Sequence, residues 1–361
     1  MSPTPLSDPA AIAALASRLT ATEHIALDTE FLRERTYRPQ LCLLQLATPT
    51  EAVCIDPLGA ASLTALQPAM SGGTAVKIMH AARQDLEVLW PLFGAIAPVF
   101  DTQVAAALLG MPAQIGYSDL VRRLLGVELA KGETRTDWSR RPLTDAQLRY
   151  AIDDVVHLAA LRDQLQQQLG QRGRLDWMLE EMRDLARPER LFVDPEKAVQ
   201  RLRWSGELDA DRARLAQRLA AWRERRAADK DRPRNWILDD SVLRALVLQP
   251  PRSSSELAQV PGLAPGFAER SGATLLGEIA AAQLPDTLPP QGQRMRPDPQ
   301  QLARVKQLSS LLQQRATQLE IASEVLATRR ELESIARGET SAEVLQGWRR
   351  EVIGAELLAV G

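Results

Sequence analysis

The segment His24–Phe31, HIALDTEF, is an apolar run that closes on two carboxylates one residue apart. In a β-strand alternate side chains share a face, so Asp28 and Glu30 point the same way at the strand's end. Like charges on one face of a buried element repel and raise each other's pKa unless a cation lies between them. The pair suits a hard divalent ion, although a strand that simply runs out into a polar turn would carry the same acids. The run demands a sheet around it, and its chemistry depends on what else reaches that edge.

Two further carboxylates stand where apolar residues are expected. In HAARQDLEVLW, Asp85 shares a helical face with Ala82, Leu86 and Leu89, where a bare carboxylate is costly or takes up a proton. Proximity to a helix N-terminus is the simpler account of the same residue. In LRYAIDDVVHLAALRDQL, Asp154 falls on the stripe of Leu158, Leu161 and Leu165, whereas Asp153 follows Arg149 by four and reads as half of an exposed ion pair. Tyr150, four residues before Asp154, brings its hydroxyl to the same face. Four carboxylates converging on one sheet edge would be balanced by two Mg²⁺ or Mn²⁺ ions, because oxygen ligands without histidine or thiolate select hard cations over zinc. Ions paired about 3.5–4 Å apart are the usual apparatus for in-line attack at a phosphodiester.

Around these residues the pattern predicts a helix over Pro9–Leu19 and strands at Ile25–Asp28, Leu43–Ala47 and Ala52–Ile55, an antiparallel meander. Helix and strand then alternate: Ala60–Met70 helix, Ala75–Met79 strand, Ala82–Leu92 helix, Val99–Phe100 strand, Thr102–Leu109 helix. That alternation predicts an α/β fold with a mixed sheet and helical crossovers. Helices follow at Tyr117–Leu125 and Asp145–Leu169, the second capped by Thr144. Beyond Gln171 strand signals vanish. Five prolines between Pro285 and Pro299 read as an extended linker, with a separate helical unit after it.

A length of 361 residues implies two or three domains. Met1–Phe100 holds 6 basic and 9 acidic residues, and Lys197–Arg234 holds 12 basic and 6 acidic, so any polyanion contact belongs to the later region. Cys42 and Cys54 lie in strand-like runs, and three histidines with two cysteines argue against a structural zinc site. The N-terminus lacks the pattern of a secretory signal and no apolar stretch is long enough to span a bilayer, so a soluble protein of a reducing cytoplasm, without membrane contact, is expected.

The residues DTEF at Asp28–Phe31, HAARQD ending in Asp85, and YAIDD with Tyr150 and Asp154 resemble the three motifs of the DEDD exonuclease superfamily, in its tyrosine branch. TDWSRRPLTDAQLRYAIDDV, from Thr136, is similar to the ribonuclease D family. Ala220–Leu246 and the later SSELAQVPGL resemble an HRDC module, and the chain's last part resembles a more degenerate copy. The resemblance implies a ribonuclease H-like exonuclease fold followed by two all-α HRDC-like domains. Its divisions are residues 1–170 for the exonuclease, 171–205 for a helical connection, 206–284 for the HRDC domain, 285–299 for the linker and 300–361 for the second copy.

The implied activity is that of a two-metal 3′-5′ exoribonuclease releasing nucleoside 5′-monophosphates from RNA with a free 3′ end, tRNA precursors among other small RNAs, with no stable protein partner. Asp28 would contact both ions, Glu30 and Asp154 the ion that activates water, and Asp85 the other; Tyr150 would orient the water. Thr29 through its backbone and Phe31 by stacking, if the strand ends before it, are candidate contacts to the terminal nucleotide. The loop carrying Arg135, Trp138, Arg140 and Arg141 is another, and His80 reads as a packing or supporting residue. Arg225 and Arg226 belong to a cluster with Arg223, Lys230, Arg232 and Arg234, interleaved with Trp222 and Trp236, that could combine phosphate contacts with base stacking or be a solvated helix face over core tryptophans. A DNA 3′-5′ exonuclease would use the same acids. A non-catalytic nucleic-acid-binding relative would be marked by a lost carboxylate, and none is lost.

Overall fold

The computed structural model describes residues 4–60, 62–130, 136–283 and 299–360. Helix α1 (Pro9–Leu19) begins where Asp8 accepts the Ala11 N–H at 2.8 Å, with proline at a position whose N–H would go unused. Strands β1 (His24–Leu32), β2 (Gln40–Ala47), β3 (Ala52–Ile55), β4 (Val76–Met79) and β5 (Val99–Asp101) form one sheet in the order β3-β2-β1-β4-β5. Strand β2 is antiparallel to β3, and β4 is parallel to both β1 and β5. The sheet is therefore mixed, as the alternation of elements implies, and β1 is its central strand. Helix α2 (Arg83–Phe93) makes the crossover from β4 to β5 that a parallel pair requires.

Two expected helices differ in the structure. Ala60–Met70 is instead a 3₁₀ turn at Thr64–Leu66 and a π turn at Pro68–Gly72, because Pro68 lacks an N–H and its ring collides with the preceding turn. Asp145–Leu169 is two helices, α5 (Asp145–Val156) and α6 (Leu158–Gln171), reached after α3 (Thr102–Leu108) and α4 (Tyr117–Leu125). The Tyr117 hydroxyl donates to the Asp153 carbonyl at 3.0 Å. A side chain inserted into the i→i−4 ladder ends α5 there.

The chain divides into two compact units, one of residues 1–32, 41–191 and 297–361, the other of 33–40 and 192–296. The first continues from α6 into α7 (Leu175–Leu185) and α8 (Pro188–Leu191). The second is helical: α9 (Ala210–Asp229), α10 (Arg234–Ile237), α11 (Asp240–Leu248), α12 (Ser254–Ala258) and α13 (Phe267–Ala281). Asp209, Asp239 and Ser253 cap three of these helices, and Leu215, Leu219, Trp222, Leu243, Leu246 and Leu275 build their core. The short excursion 33–40 packs with them: the Tyr37 hydroxyl donates to Glu224 at 2.8 Å, and the Tyr37 and Arg38 N–H groups donate to Asp231 at 3.1 and 3.0 Å.

After the proline-rich stretch, of which 284–298 lie outside the described residues, come α14 (Pro299–Leu319), α15 (Ser323–Leu326), α16 (Arg329–Ala336), α17 (Gly347–Arg349) and α18 (Ala355–Val360). The sequence reads as a separate terminal unit here, but these helices return to the first unit. Leu308, Leu312, Leu332, Ile335, Trp348 and Leu357 share one hydrophobic cluster with the sheet and with Met178 and Met182 of α7. Trp348 stacks on Trp177 with centroids 4.4 Å apart, and its indole N–H donates to Glu181 at 2.7 Å. Arg174 donates to the Leu108 and Leu319 carbonyls, both at 2.6 Å. The periodicity of an amphipathic helix reveals that it has an apolar face and not which core that face joins. Among the described residues no helix is long and apolar enough to cross a membrane.

Candidate active site

Strand β1 presents Asp28 and Glu30 on one face, and α5 lies against β1 and β3. That helix opens on a capping box: Thr144 Oγ1 accepts the Gln147 N–H at 3.2 Å while Gln147 Oε1 accepts the Thr144 N–H at 2.7 Å. Cys42, Leu43, Cys54, Leu148 and Ala151 seal α5 onto the sheet, with Trp138 in the same cluster. The rotation so imposed delivers Asp154 to the strand. Ligand oxygens of Asp28, Glu30 and Asp154 all lie within 4.8 Å of one another, and each residue is partly exposed. Tyr150 hydrogen-bonds to Asp154 and stacks on buried Trp138, centroids 6.1 Å apart.

Asp85 stands beside this group of three and is buried. Its helix is aimed by Asp101, whose carboxylate accepts the Ala81 and Ala82 N–H groups at 3.1 and 2.8 Å and also the Gln103 N–H at 2.8 Å, so one side chain caps both α2 and α3. Asp85 Oδ1 accepts the Thr29 hydroxyl at 2.5 Å.

Electrostatically the four acids form one system. Burial, then the charges of Asp85, Asp154 and Glu30, hold Asp28 well above the usual carboxylate range. Burial, then Asp154 and Asp85, push Glu30 up to about 8. Burial pushes Asp85 up to about 7 against the Thr29 hydrogen bond, and Asp154 up to about 7 against that of Tyr150. Burial and the charges of Asp154, Glu30 and Asp28 raise the Tyr150 phenol further, keeping it a protonated donor. Clustered carboxylates that repel in this way fit a divalent cation as the missing counter-charge, and an all-oxygen donor set fits a hard one.

Other sequence candidates are placed elsewhere. Strand β1 runs through Leu32, so it does not end before Phe31, whose ring packs against the core. Arg141 pairs with Asp56, with both contacts at 2.7 Å, and donates to the Trp138 and Cys42 carbonyls; it staples its loop to the sheet. Arg140 pairs with Asp137 at 3.2 Å, and Arg135 lies outside the described residues. His80 bonds Thr102 at 2.9 Å and the Ile115 carbonyl at 3.0 Å and packs on Tyr117, a supporting role. In the helical unit Arg223 is buried against the Leu238 carbonyl and Asp240, Arg225 pairs with Glu196 at 2.6 Å, and Arg226 donates to Ser271 and lies over buried Trp222. Trp236 is 59% exposed, with Arg232 stacked over it. Sequence reasoning missed the bond from Thr29 to Asp85 and the double cap of Asp101; an aspartate just before Thr102, where a helix was expected to start, was the legible signal for the second.

The 3′-5′ exonuclease family profile matches residues 3–170, and the HRDC domain profile matches residues 212–279. Ribonuclease D of Zymomonas mobilis is 40% identical over 98% of this chain and 93% of its own length. The chain belongs to the ribonuclease D family. Another ribonuclease D, from Xanthomonas oryzae, is 38% identical over 95% of each chain. The crystal structure of Escherichia coli RNase D, described as an exoribonuclease involved in structured RNA processing, superposes with a TM-score of 0.87 at 32% identity, covering 100% of this chain and 98% of that one. As in that family, the fold is a mixed-sheet exonuclease domain followed by HRDC-type helices, and the chain is an exoribonuclease. Membership implies divalent-metal use, and the carboxylate cluster is in keeping with it.

Proposed function

We propose that Asp28, Glu30 and Asp154, with Asp85 completing the set, hold two Mg²⁺ or Mn²⁺ ions, and that the enzyme removes nucleoside 5′-monophosphates one at a time from RNA 3′ ends. The observation that carries this is the meeting, within 4.8 Å, of carboxylates from two segments more than a hundred residues apart. When bound, such ions lower the pKa of the attacking water and stabilise the departing 3′ oxyanion. Tyr150, fixed by stacking on Trp138, would turn its one O–H from Asp154 to the water when Asp154 holds an ion, and a phenol whose ordinary pKa is about 10 is too weak an acid to serve as base. The natural substrates are tRNA precursors and other small structured RNAs in the cytoplasm, a reading supported by the relatives' common name and by the structured RNA of the E. coli enzyme's description.

The helical parts serve as substrate-holding platforms. Residues 206–284 form one HRDC domain and 300–361 a degenerate second copy. In support, a long helix, a one-turn helix, a two-turn helix, a short turn and a closing helical stretch succeed one another in both segments. Arg232 and exposed Trp236 supply a stacking surface of the kind single strands bind.

The test is incubation of the purified chain with RNA and with DNA, each labelled at the 5′ or the 3′ end, with and without EDTA. Mononucleotide release from 3′-labelled RNA, a shortening ladder from 5′-labelled RNA and its abolition by EDTA are expected. Internal cuts, EDTA-resistant hydrolysis or a preference for DNA would overturn the reading.

A further inference from the structure

Thr29 lies between the two acids of β1 and faces the other way, 6% exposed. Valine would fill such a strand position equally well, and a buried hydroxyl is costly unless it finds a partner. The partner is the Asp85 carboxylate, which takes the hydroxyl at 2.5 Å. The Ala81 and Ala82 N–H groups at the start of α2 are already served by Asp101, so the aim of the helix does not depend on Asp85.

We propose that Thr29 is a positioning residue that fixes the orientation of Asp85 in the metal site, acting through that carboxylate and not by touching RNA. The bond commits Oδ1 to the strand that bears Asp28 and Glu30, so three of the four acids take their places from one rigid element. Asp154 alone is referenced to the sheet through packing of a separate helix. Outer hydrogen bonds of this kind hold ligand carboxylates at a fixed rotation, and their removal weakens metal affinity. The inference rests on the two-ion reading above.

The experiment uses the full chain and its Thr29→Val, Thr29→Ala and Thr29→Ser variants. Mg²⁺ alone is titrated by calorimetry and thermal shift without RNA, and kcat and KM are then measured at saturating Mg²⁺. Thr29→Val is expected to raise the half-saturating Mg²⁺ concentration about 10–100-fold, with KM for RNA unchanged and with Thr29→Ser close to the parent. Thr29→Ala, which adds no apolar atom, carries the same comparison if the valine variant does not fold. Valine and alanine variants that titrate like the parent overturn the proposal, as does a serine variant as impaired as valine. A parent that neither binds Mg²⁺ nor hydrolyses RNA overturns the two-ion reading as well, whereas a parent that does both leaves that reading standing and isolates the failure to Thr29.

Discussion

Burial and then the three neighbouring carboxylates raise the pKa of Asp28, so in the absence of cations its charge opposes the fold that holds it. Asp28→Asn is accordingly expected to abolish turnover while leaving the melting temperature of the metal-free chain unchanged or higher. A variant that melts earlier, or keeps substantial Mg²⁺-dependent hydrolysis, would contradict that role. The pH dependence follows from the same charges. Glu30, near 8 in the fold, and Asp85 and Asp154, near 7, bind protons that the unfolded chain has released above about 4–4.5. Between those limits the folded state carries more protons, so stability falls as pH rises. Melting of the EDTA-treated chain should therefore drop from pH 5 to pH 8, and added Mg²⁺ should flatten the slope; a rise over that interval would mean the fold does not hold these acids above their free pKa values.

At the scale of elements, the break between α5 and α6 depends on one hydroxyl. Tyr117→Phe leaves the Asp153 carbonyl without the hydroxyl that replaces its helical donor, at a cost of about 1–3 kcal/mol. Denaturant unfolding checks this, and a loss near zero would show that the ladder reseals as one straight helix. Much of the site was legible because alternation in β1 and the four-residue spacing of Tyr150 and Asp154 are local properties. The helix break was not legible, since its cause lies more than thirty residues away and leaves no mark in the periodicity of the segment it interrupts. The partner of the Thr29 hydroxyl was hidden for a similar reason, since only the placement of α2 reveals it. Pro68 was a local signal against a continuous helix over Ala60–Met70.

For the whole molecule, the terminal helices count as core. Arg174 joins the end of α3 to the end of α14 through two carbonyls. Arg174→Ala should cost about 2–4 kcal/mol, since one buried and one partly buried carbonyl lose a charged donor, and lysine should not restore it because an ammonium lacks the planar fork. Unfolding followed by the Trp177–Trp348 pair is the measurement, and an unchanged midpoint would refute the linkage. Sequence divided this region differently because a proline-rich stretch looks the same whether the chain beyond it departs or comes back.

The return of 297–361 to the unit begun by 1–32 gives synthesis on the ribosome a fixed order. The helical body that ends with α13 is fully translated while the nuclease still lacks Leu312, Trp348 and Leu357. Nascent chains that have exposed the residues up to 283 but not those after 299 should hold a protease-resistant HRDC fragment and a nuclease half that is still digested, and the nuclease half should gain resistance only once α14–α18 have emerged. Until the last helices emerge, the cell would thus be spared a working RNA-degrading centre on an unfinished chain.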